Sequence, residues 1–179
     1  MIIKHADDKA KRLNLLAELT QSDRLDARQR QWASDELLRL QRGIQGERDA
    51  AFYIDSVYKD SKNHAVLHDL RIEVDGDVAQ IDHLVINRTN YVFLFETKCF
   101  NGNLKINEHG EFTMNYAGGK QYGIPSPLEQ SRRHERILAK LLDTLEITGR
   151  TTKPTFVHAV LLHPKAIITR PSPKTFNTD

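Results

Sequence analysis

Asp82, Glu96 and Lys98 are ionisable residues set into or against the two most apolar runs of the chain, Ile81 to Ile86 and Tyr91 to Phe95. A charge taken out of water costs several kcal/mol unless something pairs with it. Glu96 and Lys98 stand two apart, so a strand puts both on one face. Asp82 lies one hairpin upstream, on a neighbouring strand. Two facing carboxylates suit a hard divalent cation that prefers oxygen donors and keeps several waters. A lysine beside them can orient and help deprotonate a water, and can offset charge developing on a phosphorane. That set is what metal-assisted hydrolysis of a phosphate ester needs. An isolated Glu-x-Lys serves equally well as a structural ion pair at a strand end.

Two further residues extend the pattern. In the stripe Ala50, Ala51, Ile54 and Tyr58, the position four before Ala51 is Glu47, which places a carboxylate on an apolar helix face. At the first turn of a helix the same residue can instead favour the helix dipole from the rim. Gln130 and His134 continue the stripe Ile137, Leu138, Leu141, Leu142 and Leu145 towards its start. Glu47 would add a third carboxylate, and Gln130 an amide able to position water or phosphate.

These residues need elements to hold them. Residues 7 to 42 contain no Gly or Pro and are rich in Leu, Ala, Gln, Arg and Glu, which predicts two helices or one long bent one. Gly43 and Gly46 mark a break before a shorter helix from about residue 45 to 58. Strands are expected over His64 to Val74, Val78 to Asn87 and Tyr91 to Cys99, joined by Asp75-Gly76 and Arg88-Thr89-Asn90 as hairpin turns. The runs Ile81 to Ile86 and Tyr91 to Phe95 are apolar on both alternating faces, so these strands should be covered on both sides. A small hairpin follows at Leu104 to Ile106 and Phe112 to Met114. Ala117 to Pro127 reads as loop, Ser126 to Leu145 as helix, Thr155 to His163 as a last strand, and the tail from Pro164 as irregular.

The 179 residues carry 26 Lys+Arg against 24 Asp+Glu, a formal net charge of +2, and are 39% apolar. With a mean hydropathy of −0.54 this is the composition of a globular protein able to close one core. No basic tract forms a nucleic-acid tail, although a near-neutral total can hold a basic groove beside an acidic metal site. The single Cys99 excludes an intramolecular disulfide framework and a multi-cysteine zinc knuckle. The N-terminus turns charged too early for a secretory signal, and no apolar run approaches the roughly 20 residues of a membrane span. The expectation is a cytoplasmic chain with no membrane partner.

Other chemistry-bearing residues read more plainly. His64 and His68 share a face but lack a third metal ligand nearby. His83 points away from Asp82 and reads as a satisfied buried histidine, and Cys99 reads as an inert thiol. Gly118-Gly119-Lys120 lacks the upstream Gly and the following Ser/Thr of a P-loop. Arg132, Arg133 and Arg136 on the outer side of the last long helix, together with Lys120, are the candidates for nucleic-acid phosphate contacts. A solvated helix face with Glu129 and Glu135 accounts equally for the three arginines.

Taken together, Gly46-Glu47-Arg48, Gln80-Ile81-Asp82-His83-Leu84-Val85-Ile86, Phe95-Glu96-Thr97-Lys98 with Asn101-Gly102, and Pro127-Leu128-Glu129-Gln130 resemble the nuclease-related domain, NERD, of the PD-(D/E)xK restriction-endonuclease-like superfamily. The resemblance covers residues 43–163, leaving 1–42 as an N-terminal helical extension and 164–179 as a C-terminal tail. It implies an α/β (α+β) fold with an α-β-β-β-α-β core, a central mixed sheet flanked by helices, and a Mg2+-dependent deoxyribonuclease in which Mn2+ can substitute. Asp82, Glu96 and Lys98 match the superfamily's catalytic acid, acid and lysine, with Glu47 and Gln130 at its flanking helix positions. Asp82, Glu96 and Glu47 are thus the expected metal ligands. DNA is the implied partner, cut with little sequence specificity. A homodimer would suit the cutting of two strands, and a helicase or another DNA-processing protein is the kind of module to which family members are fused. The alternative is a catalytically inactive DNA-binding or scaffolding domain that has kept the fold.

Overall fold

A computed structural model describes residues 1–99, 102–116, 118–146 and 153–172. Asn101 of the family motif, Ala117 of the expected loop and the tail from residue 173 lie outside the described residues. The elements run β1 (Ile2–Lys4), α1 (Ala10–Thr20), α2 (Ala27–Tyr58), β2 (His64–Val74), β3 (Asp77–Asn87), β4 (Tyr91–Lys98), β5 (Asn103–Ile106), β6 (Phe112–Asn115), β7 (Gln121–Ile124), α3 (Pro127–Thr144), β8 (Thr155–Leu162) and β9 (Ile168–Thr169). The main sheet has the order β1-β2-β3-β4-β8 and the smaller one β7-β6-β5-β9. In the main sheet β2, β3 and β4 are antiparallel, while β1 and β8 join its two sides in parallel.

Two apolar layers sandwich the main sheet, as the two-sided apolar runs require. On one face Ile72, Ala79, Ile81, Leu84 and Leu94 pack against Leu138 of α3. On the other, Val66 and Val85 pack against Ile54 of α2, with Tyr58, Phe93 and Phe95 alongside. Leu104, Phe112 and Met114 of the smaller sheet close on Leu128 and Leu162. Among the described residues no helix is long and apolar enough to cross a membrane.

Four local expectations are corrected. The break at Gly43 and Gly46 does not occur, and α2 runs unbroken from a capping box at Asp26 and Gln29 to Tyr58. Gly in a helix costs about 1 kcal/mol relative to Ala, a penalty that packing outweighs here. At Gly46 the glycine is needed for another reason, because a Cβ there would stand 2.9 Å from Cys99 Cβ. The absent side chain lets α2 lie against the end of β4. Second, the segment read as a helical extension also supplies β1, whose Ile2 pairs with Val66. Third, the stretch read as loop contains β7, with Tyr122 opposite Met114, after a turn in which Gly118 and Gly119 take positive φ. Last, the tail read as irregular adds β9 beside β5.

One feature of the main sheet was not legible in the hydropathy pattern. Val66 and His68 of β2 face α2, whereas Leu70 and Ile72 face α3, although all four have the same parity. The change of face falls at Asp69, a non-glycine residue at φ 52°. Opposite it in β3, His83 and Val85 face α2 while Ile81 and Ala79 face α3. Pairing holds register through the switch, from His68 with His83 to Leu70 with Ile81. Asp82 stands at the switch point of β3.

Candidate active site

Pairing of β3 with β4 extends from Ile86 opposite Val92 only as far as His83 opposite Phe95. Beyond that pair the Thr97 amide, which would otherwise continue the ladder, donates to Asp82 Oδ2 at 2.7 Å. The two strands therefore part where the acidic residues lie, and a side chain fills the opening. Glu96 is buried, with its side chain 4% exposed, and accepts from Lys98 Nζ at 2.7 Å through Oε1. Lys98 Nζ also donates to Gln130 Oε1 on α3 at 3.1 Å. His134, one turn further along α3, brings Nδ1 to 3.8 Å from Glu96 Oε2. Ser126 caps α3 and Pro127 opens it, so the helix begins where Gln130 and His134 fall over the end of β4.

The electrostatics fit a site short of positive charge. Burial, reinforced by the facing Glu96 carboxylate, pushes the Asp82 carboxyl up to about 7, and Glu47 adds to the effect. Burial also raises Glu96, with Lys98 opposing it. Burial and the charges of Arg133 and Lys98 hold His134 below its usual value, which favours the neutral ring. Asp82 and Glu96 thus repel one another across a gap that a cation between them would relieve. Among the described residues, no three of His, Cys, Asp and Glu are gathered into a ready-made metal cage. Magnesium does not require one, since it is commonly held by one or two carboxylates together with waters and substrate phosphates. Asp82 and Glu96 fit that donor set.

Glu47 stands near enough to act on both of these carboxyls, yet its hydrogen-bonding partner lies outside the family motif. Lys9 Nζ, just before α1, meets Glu47 Oε2 at 2.8 Å and Asp69 Oδ1 at 3.6 Å. Burial lowers the Lys9 pKa, but its bond to Glu47 and the charges of Glu47 and Asp69 more than offset this and raise it. Lys9 and Asp69 are the site neighbours that sequence reasoning missed. Lys9 is one of several lysines in a polar segment, and Asp69 looks like an ordinary strand aspartate. Only the backbone of Asp69 at φ 52° and the path of β1 bring them to Glu47. His134 was visible on the α3 stripe, but nothing in the spacing tied it to Glu96.

The remaining candidates divide. Arg133 is exposed and its charge reaches Glu96. Together with His134, Arg136 and Lys140 it lines a cleft against Val74, Asp77 and Val78 of the β2–β3 hairpin. Arg132 is paired with Glu129 at 2.6 Å. Lys120 is an exposed residue immediately before β7. His64 is bonded to Ser61 and Asn87, and His68 to Asp55 and His83. His83 is buried and fully bonded. Cys99 is a free thiol, half-buried against Gly46.

A family model described as nuclease-related domain matches residues 42–164, more than two thirds of the chain. No curated protein and no solved structure matches it.

Proposed function

The chain belongs to the nuclease-related domain family, and from that premise we propose that it is a divalent-metal-dependent nuclease hydrolysing phosphodiester bonds of DNA. The observation that carries this reading is the facing pair Asp82 and Glu96 where β3 and β4 part, with Lys98 fixed between Glu96 and Gln130. Asp82 and Glu96 would hold a Mg2+ or Mn2+ ion, with Glu47 reaching it from α2. Bound there, such an ion supplies Lewis acidity towards a phosphoryl oxygen and lowers the pKa of a water.

The chain's own residues do the rest. Glu96 and Gln130 hold the Lys98 ammonium in one place, so its charge is preorganised for the negative charge that builds on the phosphoryl group. Gln130 accepts from Lys98 through Oε1, and its amide N–H groups, unpaired among the described residues, would serve a water or a phosphate oxygen. His134, whose neutral form is favoured by burial and by the nearby Arg133 and Lys98, would add little competing positive charge beside Glu96. Arg133 and Arg136, which line the cleft beside His134, would contact the phosphate backbone next to the site, whereas Lys140 of the same cleft is paired with Asp75. These contacts carry no base readout, in keeping with cutting of low sequence specificity.

The test is incubation of supercoiled, linear and single-stranded DNA with the purified chain in Mg2+ or Mn2+, beside Asp82→Ala and Lys98→Ala. Cleavage should require the metal and fall on the order of 10²–10³-fold in Lys98→Ala. Equal cutting by all three proteins would sink the assignment. A second reading, a DNA-binding domain without turnover, draws on one observation: the Glu47 carboxylate is already engaged by Lys9. It predicts salt-dependent DNA binding with no cleavage at any divalent-ion concentration.

A further inference from the structure

The N-terminal arm lies outside residues 42–164, the part that matches the family. It is nonetheless built into the site. β1 pairs with β2, Lys4 Nζ donates to the His68 carbonyl at 3.2 Å, and the Asp7 amide donates to Asp69 Oδ2 at 3.2 Å. Asp69 is 5% exposed and also accepts from Gln80 Nε2. A buried carboxylate on backbone at φ 52° is costly on two counts, desolvation and conformation. What it secures is the arm: both of its oxygens are used, one by the Asp7 amide, the other by Gln80 and at longer range by Lys9. Lys9 in turn makes the described hydrogen bond to the Glu47 side chain.

From this we infer that Lys9 is a positioning residue, which holds the Glu47 carboxylate at the rim of the site so that it can join Asp82 and Glu96 in taking a divalent cation. The inference rests on the proposed metal-dependent function. Glu47 lies on a helix that Gly46 brings against the end of β4, so its backbone is placed by packing. Its side chain has three rotatable bonds and sits 26% exposed, and backbone placement alone does not choose a rotamer. An ammonium on Oε2 makes that choice and, among the described residues, leaves Oε1 without a hydrogen-bond partner. Lys9 can do so because Asp69 fixes it from behind, as carboxylates behind metal-binding histidines fix those rings. Gln80, in the string that carries the family resemblance, takes a role here as the group that steadies Asp69.

A lysine beside a metal site can also act in the opposite sense, as a competing cation. The two roles differ in sign. Binding of Mn2+ alone to the full chain, followed by electron paramagnetic resonance of the free ion, separates them in wild type, Lys9→Met, Lys9→Arg and Asp69→Asn. If Lys9 positions Glu47, Lys9→Met weakens Mn2+ binding by about 10-fold, within the range for loss of a supporting partner, and Lys9→Arg restores most of it. Asp69→Asn, which keeps a residue tolerant of positive φ, should weaken binding in the same direction by less. Amide exchange of residues 5–10 without metal gives a readout independent of the ion, and should speed up in Lys9→Met. Equal or tighter Mn2+ binding by Lys9→Met overturns the positioning role while leaving the nuclease reading intact. A wild-type chain that binds no Mn2+ at millimolar concentration overturns both.

Discussion

Two polar clusters lie on opposite faces of the same strands, and they are built on opposite rules. On the α2 face, Asp55 Oδ1 meets His68 Nε2 at 2.9 Å, His68 Nδ1 meets His83 Nδ1 at 2.7 Å, and His83 Nε2 meets Thr97 Oγ1 at 3.1 Å. With both rings neutral and the Asp55 carboxylate accepting, one proton arrangement satisfies every link: His68 donates from Nε2 to Asp55, His83 donates from Nδ1 to His68, and Thr97 donates its hydroxyl to His83. Burial above all keeps the His83 ring neutral, pushing it down to about 3. On the α3 face, Asp82, Glu96 and Lys98 keep their ionisable character, with two acids set against one lysine and no bond joining the acids. Buried polar side chains occur in both clusters, so burial is not what distinguishes a reactive site. The difference is whether the hydrogen-bonding and charge balance closes. It closes at the histidines and stays open at the carboxylates, and an open balance is what a cation or a substrate can complete.

The largest test of that contrast pairs Asp82→Asn with His68→Ala. Asp82→Asn keeps the shape and an acceptor for the Thr97 amide while removing one of two repelling acids. It should abolish metal-dependent cleavage, yet leave the melting temperature in EDTA unchanged or higher at neutral pH. His68→Ala should behave in reverse. It strands Asp55 and the His83 Nδ1–H and opens a cavity, at a cost of about 2–3 kcal/mol in urea unfolding. The Mn2+ affinity of the fraction that stays folded should hold. If instead Asp82→Asn proves as destabilising as His68→Ala, the carboxylate pair is a structural element and the contrast fails.

How far these clusters could be read from sequence follows from the same distinction. Charges interrupting apolar runs at Asp82, Glu96 and Lys98 are visible as letters, because binary patterning exposes any polar residue on an inward face. The three central strands and α3 were legible for the same reason. His68 was not readable as the partner of His83, since strict alternation puts it on one face along with His64, Leu70 and Ile72. The switch of face at Asp69 breaks alternation through a single backbone torsion that no hydropathy pattern encodes. The glycines of α2 misled in a different way. Propensity places a break at Gly43 and Gly46, whereas the close approach of Gly46 to Cys99 is a tertiary reason for a glycine inside a continuous helix. Lys9 had no local signal at all, because its partners lie 38 and 60 residues away in the chain.

The two faces should also respond to pH with opposite signs. The Asp82 carboxyl, at about 7 in the fold, keeps a proton that the unfolded chain gives up near 3.8. Its contribution to stability is complete below the unfolded value and is lost as pH rises through 7. The His83 ring, pushed down to about 3, stays neutral while the unfolded chain takes up a proton near 6.5. Its contribution is complete above 6.5 and is lost as pH falls towards 3. Urea unfolding in EDTA at about pH 5 and about pH 7.5 separates them. Asp82→Asn should gain on wild type as pH rises, and the deficit of His83→Leu should shrink as pH falls. Parallel curves for all three proteins would show that neither group is perturbed as described.

Thr97 gives the smallest and most discriminating effect, because it belongs to both clusters. Its hydroxyl serves His83 on one face, and its backbone amide serves Asp82 on the other. Thr97→Val keeps the β-branched shape and the amide but leaves His83 Nε2 without a donor. The expected cost is about 1 kcal/mol of stability, which Thr97→Ser should largely recover. Because Thr97 reaches Asp82 through its amide and not its hydroxyl, cleavage and Mn2+ affinity should not change in either variant. A fall in Mn2+ affinity in Thr97→Val with recovery in Thr97→Ser would mean that the histidine chain helps to set the position of the β4 backbone behind Asp82. The neutral cluster would then be a support for the charged one, and the two faces of the sheet would have to be treated as a single site.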